Sequence, residues 1–476
     1  MKDLNVLDLF AGCGGLSLGL EKAGLNPLVA VERSPMAAET HFKNFHMRTE
    51  EWDEEYWRDL LGSSKGKSFA KQVHHGTVVA DVWDLLEDRE SMGILKDSEI
   101  DVIAGGPPCQ GFSMAGRRNP ADERNQLPWA FIRFVQELRP KAVLIENVAG
   151  MNMAYVSHGG TMSPFRQLQQ ALAQVSPGYI VQPVEMNARH FGIPQNRPRM
   201  MLIAIRGDLP IVSDLYVSDL PWRSIDAFKA LQTGDASLCQ SRDLVPHVGS
   251  IIDRKKHNAR QPLEYSVADG LRDIGESGYK KNIDYRRREY RFARAMRGKR
   301  NETPLLRNHT KRNHTERVSE RFDLYHFFAA EGIDTSVLSI PTAHPNIPSA
   351  RTAVEEALGD YAHSALPSKR IFATTEDRNL VDVIMRLHTR KHTQHVINAS
   401  EPSPTVVTLP DDYVHPYQPR TMTVRELARF QSFPDWFEFR SKETTGSHRR
   451  RTEVPQYTQV GNALPPLMAQ AIGELI

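Results

Sequence analysis

At 476 residues the chain has room for about two to four domains, which sets aside isolated peptides, disulfide mini-proteins and arrays of small repeats. With 25% charged and 40% hydrophobic residues, 30 Gly and 30 Pro, it is neither low-complexity nor collagen-like. The formal net charge of +2 says nothing about a polyanionic partner until the charge is sorted along the chain.

The N-terminal MKDLNVLDLFAGC mimics a lipoprotein signal, but Asp3, Asn5 and Asp8 interrupt an apolar stretch that is too short for a signal core. Asn5 to Phe10 instead predicts a buried strand, followed by a glycine loop and a helix from Leu16 to Ala23 that Gly24 ends. Strand-like runs recur at Leu28 to Val31, Val78 to Ala80, Asp101 to Ala104, Ala142 to Ile145 and Met200 to Ile205, while Trp129 to Leu138 has helical spacing. Strands alternating with helices predict an α/β fold, a mostly parallel sheet with helices on both faces. Residues 47 to 76 break the rhythm and read as a partly helical surface insertion. No window holds about 18 uninterrupted apolar residues, so no membrane span is expected. The three cysteines, Cys13, Cys109 and Cys239, cannot form a disulfide framework, and none stands in a C-x-x-C pair. A reducing, intracellular setting and no metal are the expectation.

From about residue 207 polar stretches lengthen. Between Lys280 and Arg312 thirteen Lys+Arg stand against three acids, a local +10 that leaves −8 for the rest of the chain. Tyr285, Tyr290 and Phe292 interleave this block, the mixture that grips phosphates and stacks on bases, although a solvated basic loop has the same composition. Compact patterning returns near Pro404, with helices expected from Thr423 to Phe430 and from Pro465 to Leu475.

Three segments carry chemistry, each directly after a predicted strand. Asp8 to Gly15 (DLFAGCGG) is a glycine turn at the sheet edge where open α/β folds bind cofactors, although its spacing is not G-x-G-x-x-G. Glu32 ends the second strand, where an acid can accept from ribose hydroxyls; its bland alternative is a helix cap. Gly105 to Ser113 (GGPPCQGFS) sets Cys109 in a loop stiffened by two prolines, which presents a side chain where most free cysteines are buried fillers. Glu146 follows the strand Ala142 to Ile145 at the same edge. A thiol, a carboxyl and an adenosine pocket together suggest covalent catalysis on a group that also needs protonation.

The ordered set DLFAGCGG, GGPPCQGFS, ENV, QNRPR, TVRELARFQSFPDWF and QVGNALPP resembles the cytosine carbon-5 DNA methyltransferases, over roughly residues 1 to 205 and 400 to 476. The resemblance implies a Rossmann-like, S-adenosylmethionine-dependent methyltransferase sheet with a smaller inserted domain. Residues 1–205 would be the first part of the catalytic domain, 206–400 the DNA-binding target-recognition domain, and 401–476 the last motifs and a helix returning to the catalytic domain.

By resemblance the Cys109 thiolate adds to carbon 6 of cytosine, Glu146 engages ring nitrogen 3 and the exocyclic amine, and Arg197 sits close to the flipped base. Gln195 and Arg199 shape the site and contact DNA or neighbouring loops. Cofactor contacts carry over as Phe10 on the adenine, Gly12, Gly14 and Gly15 near the methionine moiety, and Glu32 on the ribose. Asp81 falls to the adenine amino group, with Asp84 as a fallback, while Pro108 lines the pocket and Asn462 closes it. Cys13 is a filler with no catalytic role. Reaching a base in a duplex requires flipping it, and Ser113 with the loop Met114 to Leu127, bearing Arg117, Arg118 and Arg124, is the expected clamp. Duplex DNA is the expected partner of a monomeric, cytoplasmic, nucleoid-associated enzyme, and a cognate restriction or phage-defence system is the expected context.

Rivals are a relative acting on transfer RNA, a non-catalytic DNA-binding descendant and a nicotinamide oxidoreductase. About 195 residues between Ile205 and Glu401 favour DNA over the first, intact Cys109, Glu146 and Arg197 oppose the second, and Pro-Pro-Cys has no place in the third.

Overall fold

The computed structural model describes residues 4–48, 51–62, 68–108, 126–148, 163–235, 237, 242–252, 264–275, 278–279, 290–298, 306–363, 366, 372–374, 376–391, 393–446, 449 and 452–476. Cys109, Ser113, Arg117, Arg118, Arg124 and Cys239 lie outside the described residues.

Eight of the described strands build one large sheet: β1 (Asn5–Leu9), β2 (Asn26–Glu32), β3 (Thr77–Val79), β4 (Val102–Gly105), β5 (Ala142–Asn147), β6 (Tyr179–Asn187), β7 (Pro198–Arg206) and β8 (Trp222–Arg223). Their order is β3-β2-β1-β4-β5-β7-β6-β8, with β7 antiparallel to both neighbours and every other pairing parallel. The expected α/β architecture with helices on both faces is present.

Strand alternation makes the two faces. Leu7, Leu9, Ile103, Val143 and Ile145 join the helices Leu127–Leu138 and Pro164–Gln174 in one apolar layer. Val6, Val102, Ala104, Ala142 and Leu144 join Leu16 and Leu20 of helix Gly15–Lys22 with Met468 and Ile472 of helix Pro466–Gly473 in the other. A strand buried on both sides has no polar face, which is why these segments read as near-continuous apolar runs. The first and last helices approach closely because Gly19 has no side chain: a Cβ there would fall 2.3 Å from Ala469 Cβ and 2.4 Å from the Pro466 carbonyl oxygen.

Two strands of this sheet were not revealed by the apolar runs. In β6 the residues Gln182, Pro183 and Glu185 break the pattern, and β8 is only two residues long. The segment 47–76 holds the helices Glu54–Gly62 and Ala70–His74, and Trp57 and Leu60 pack on Ala38, Phe42 and Met47. Farther along, Phe322, Tyr325, Phe328, Leu338, Val354 and Ile384 form an apolar cluster distinct from the two sheet layers.

Candidate active site

A cavity of about 690 Å3 opens at the carboxyl edge of β1, β2, β4 and β5. That volume is in the usual range for a small-molecule site. Its wall includes Phe10, Gly12, Gly15, Glu32, Asp81, Pro108, Glu146, Arg197, Arg199 and Asn462, so residues expected to hold the cofactor and residues expected to meet the base share one space.

The glycine loop is shaped by backbone need. Phe10 and Gly14 have φ of 60° and 97°, and Gly14 is the N-cap of helix Gly15–Lys22. A left-handed aromatic residue costs on the order of 1 kcal/mol and persists where the surroundings over-determine it. At Gly15 a Cβ would stand 2.3 Å from the Leu464 carbonyl oxygen, so the loop can meet the C-terminal segment only without a side chain. A Cβ at Gly12 would meet nothing within 4 Å and would project into open space, which leaves room for a ligand against the backbone.

Glu32 is oriented from both sides: Gly12 N–H donates to Oε2 at 2.9 Å and Ser34 N–H to Oε1 at 2.7 Å. Burial raises its pKa, opposed by these backbone donors. Asp81 caps the next helix by accepting from Trp83 N–H at 3.0 Å, and its other oxygen lies 3.5 Å from Arg33. It lines the cavity and Asp84 does not. Adenosine fits this end, with an aromatic ring at Phe10 and a carboxylate with free lone pairs at each of two positions.

At the other end Glu146 forms an ion pair with Arg199, Oε1 to Nε at 2.6 Å, with both side chains under one-fifth exposed (18% and 12%). Gly106 passes close by, since a Cβ there would lie 2.7 Å from Glu146 Oε2. Asn147 ties the same loop down by donating to the Pro107 carbonyl at 3.0 Å. These contacts fix the backbone at Gly106 and Pro107.

Arg197, the arginine expected at the base, stands in the cavity wall with its side chain buried. Arg197 is 1% exposed, and its guanidinium donates to the Gly461 carbonyl at 2.9 Å and the Val406 carbonyl at 3.4 Å. Burial, then neighbouring Arg199, pushes its pKa down. It borders the cavity as a brace between β7 and the C-terminal segment, and the residue that meets Glu146 is Arg199. Register explains the exchange: Glu146 lies opposite Met201, and Arg199 is two residues along on the same face, the diagonal neighbour. Gln195, expected on the substrate side, is fully buried. Its amide donates to Phe430 O and Gln431 Oε1 and accepts from Val406 N–H, so it splices neighbouring segments.

Cys13 borders the cavity but donates to Gln459 O at 3.6 Å, and burial pushes its thiol up to about 12, which keeps it protonated and unreactive. Sequence reasoning passed over Gln459, whose amide reaches Met36 O and Val454 O while its oxygen accepts from Thr40. It joins the helix after Glu32 to the C-terminal motif, and its place at the head of QVGNALPP is the signal the sequence offered.

The chain is 28% identical to the type II methyltransferase M.DdeI of Desulfomicrobium norvegicum, covering 99% of this chain and 88% of that protein. It is 26% identical to the type II methyltransferase M.XorII of Xanthomonas oryzae pv. oryzae, covering 98% and 83%. A crystal structure of a prophage-encoded Escherichia coli protein, described as a DNA modification methyltransferase, superposes with a TM-score of 0.55 at 23% identity over 99% of this chain and 98% of that one, which shows the fold. The family model of the C-5 cytosine-specific DNA methylases matches residues 4–62 and 67–476, and the chain belongs to that family of DNA (cytosine-5-)-methyltransferases.

Proposed function

We propose that this enzyme methylates carbon 5 of a cytosine flipped out of a specific duplex DNA sequence, through a covalent adduct on Cys109, with S-adenosylmethionine as donor. The observation that carries the reading is the single cavity in which Glu32 and Asp81 stand at one end and the Glu146–Arg199 pair at the other.

When bound, S-adenosylmethionine supplies an electrophilic methyl group. Phe10, Gly12, Gly15, Glu32, Asp81, Pro108 and Asn462, which line the cavity, would hold it, with Gly14 shaping the turn between them. Carbon 5 of cytosine is a poor nucleophile. Addition of the Cys109 thiolate to carbon 6 makes the ring enamine-like, and Glu146 stabilises the adduct at ring nitrogen 3 and the exocyclic amine. Arg199, not Arg197, is the arginine that orients Glu146 and reaches the base, while Arg197 and Gln195 brace the site from behind. After methylation a base removes the carbon-5 proton and the thiolate leaves.

For the domains, residues 1–205 and 401–476 form the catalytic unit and the recognition unit lies in 206–400. The cluster around Phe322 and Ile384 supports a second core there. The two-residue strand β8 and buried Trp222, Phe228 and Phe292 support the start of that stretch lying against the sheet. The clamp is assigned to the loop after Ser113 with Arg117, Arg118 and Arg124. The enzyme acts on DNA as a monomer in the cytoplasm, in a restriction-modification or phage-defence setting; the type II methyltransferases it resembles support that setting.

The test is transfer of labelled methyl from S-adenosylmethionine to duplex DNA, which Cys109→Ser should abolish. Transfer to RNA alone would sink the DNA assignment.

A further inference from the structure

We propose that Asp8 is a charge sensor in the cofactor cavity: its buried carboxylate, with no cationic partner in the described chain, favours the sulfonium-bearing methyl donor over the neutral thioether left after transfer. The proposal rests on the S-adenosylmethionine reading above.

Asp8 sits in the middle of the apolar sheet, paired in register with Ala30 on β2 and Ala104 on β4, and is 1% exposed. An acid at such a position is costly unless something compensates it. The Ser17 hydroxyl donates to Oδ2, while Oδ1 has no hydrogen-bond partner, and no ion pair reaches this carboxyl among the described residues. The groups packed against it supply dipoles and no positive charge. Ser17 Oγ lies 3.2 Å from His41 Nε2, and His41 Nδ1 lies 3.1 Å from Thr77 Oγ1. Burial holds His41 neutral, Cys13 stays protonated, and Glu32 adds negative charge. Asp8 nonetheless borders the cavity, between the glycine loop and Leu16.

Burial pushes the Asp8 carboxyl up to about 7, which is low enough for a nearby cation to ionise it. The donor carries one positive charge more than its product at the same sulfur, and in a buried site that charge acts on Asp8 through space. Donor binding therefore expels a proton from Asp8 to solvent. Loss of the methyl cation removes the attraction, the carboxyl takes a proton back, and the product is held less tightly. No bond other than O–H changes at Asp8.

Isothermal titration calorimetry of the intact protein, in buffers of different ionisation enthalpy, reads this without catalysis. Near pH 7 the empty-site carboxyl is partly protonated, so S-adenosylmethionine should release a measurable fraction of a proton per site and S-adenosylhomocysteine clearly less. Raising the pH from 6 to 8 should tighten donor binding by up to about ten-fold, and product binding less. Asp8→Asn should abolish the difference in proton release and narrow the donor preference. Ser17→Ala keeps the carboxyl but removes a bond that lowers its pKa, so the midpoint should move to higher pH, which serves if the Asn variant does not fold. Equal release for donor and product in the wild type, or an unmoved midpoint in Ser17→Ala, would overturn the proposal. Failure of either nucleoside to bind would overturn the cofactor reading itself.

Discussion

The Glu146–Arg199 pair shows how a single register decides a role. Arg-x-Arg was legible in the sequence, but which arginine meets the carboxylate depends on the pairing of β5 with β7, a contact across 53 positions that no local pattern encodes. Arg199→Ala should lower kcat by about 100-fold with little change in cofactor KM, since it removes a preorganised charge at the reacting end. Arg197→Ala should instead lower the melting temperature, because two carbonyls that join β7 to the C-terminal segment lose their donor. Steady-state kinetics and thermal melts on the pair separate the two roles. Asp8 was equally hidden: it appears in the sequence as an acid in a buried strand, which is a cost without a stated benefit. Burial pushes its pKa up to about 7 from an ordinary 3.8, so the folded state keeps a proton that the unfolded chain releases. Stability must fall as pH rises through that window and then level off. Asp8→Asn removes the loss, so urea melts should show the variant gaining on the wild type by a few kcal/mol (order of magnitude) between pH 5 and pH 8.

At the scale of elements, strands that end in a glycine or an acid were readable because both faces of the sheet are apolar and the chemistry sits at the strand ends. The helices Val424–Phe430 and Pro466–Gly473 fall within two residues of the sequence expectation, the first through a capping box of Thr423 and Glu426. β6 was not readable, since Pro183 removes a ladder donor and Gln182 is polar. Gln182 is tolerated because its amide donates to Pro183 O and Leu220 O, and those partners exist only in the fold. The packing of the last helix on the first gives a sharp test at Gly19. Gly19→Ala should cost about 1–3 kcal/mol, through overpacking against Ala469 and the Pro466 carbonyl, in a chemical denaturation experiment. An unchanged midpoint would mean that the two helices are not so closely set.

At the scale of the whole molecule, a near-neutral chain carries its charge sorted. The +10 block between Lys280 and Arg312 belongs to the stretch assigned to DNA, yet its described part is not a loose arm: Phe292 and Met296 are buried against the sheet layer, Arg307 pairs with Glu438 and Arg312 with Asp411. We propose that phosphate binding falls to cations of this block that include Arg286, Arg287 and Arg288, which lie outside the described residues. Replacing these three with Gln should weaken binding to any duplex and reduce the salt dependence, log K against log salt, by up to about 3 in slope. The central claim is covalent chemistry by Cys109 on a DNA cytosine. Fluorine in place of the carbon-5 proton blocks the final elimination, so a duplex bearing 5-fluorocytosine in the recognised sequence should trap the enzyme once methyl donor is added. Mass spectrometry of the digested complex should then find the nucleotide on the Cys109 peptide; an adduct on Cys13 or Cys239, or methylation of ordinary DNA with no trapped species, would contradict the account.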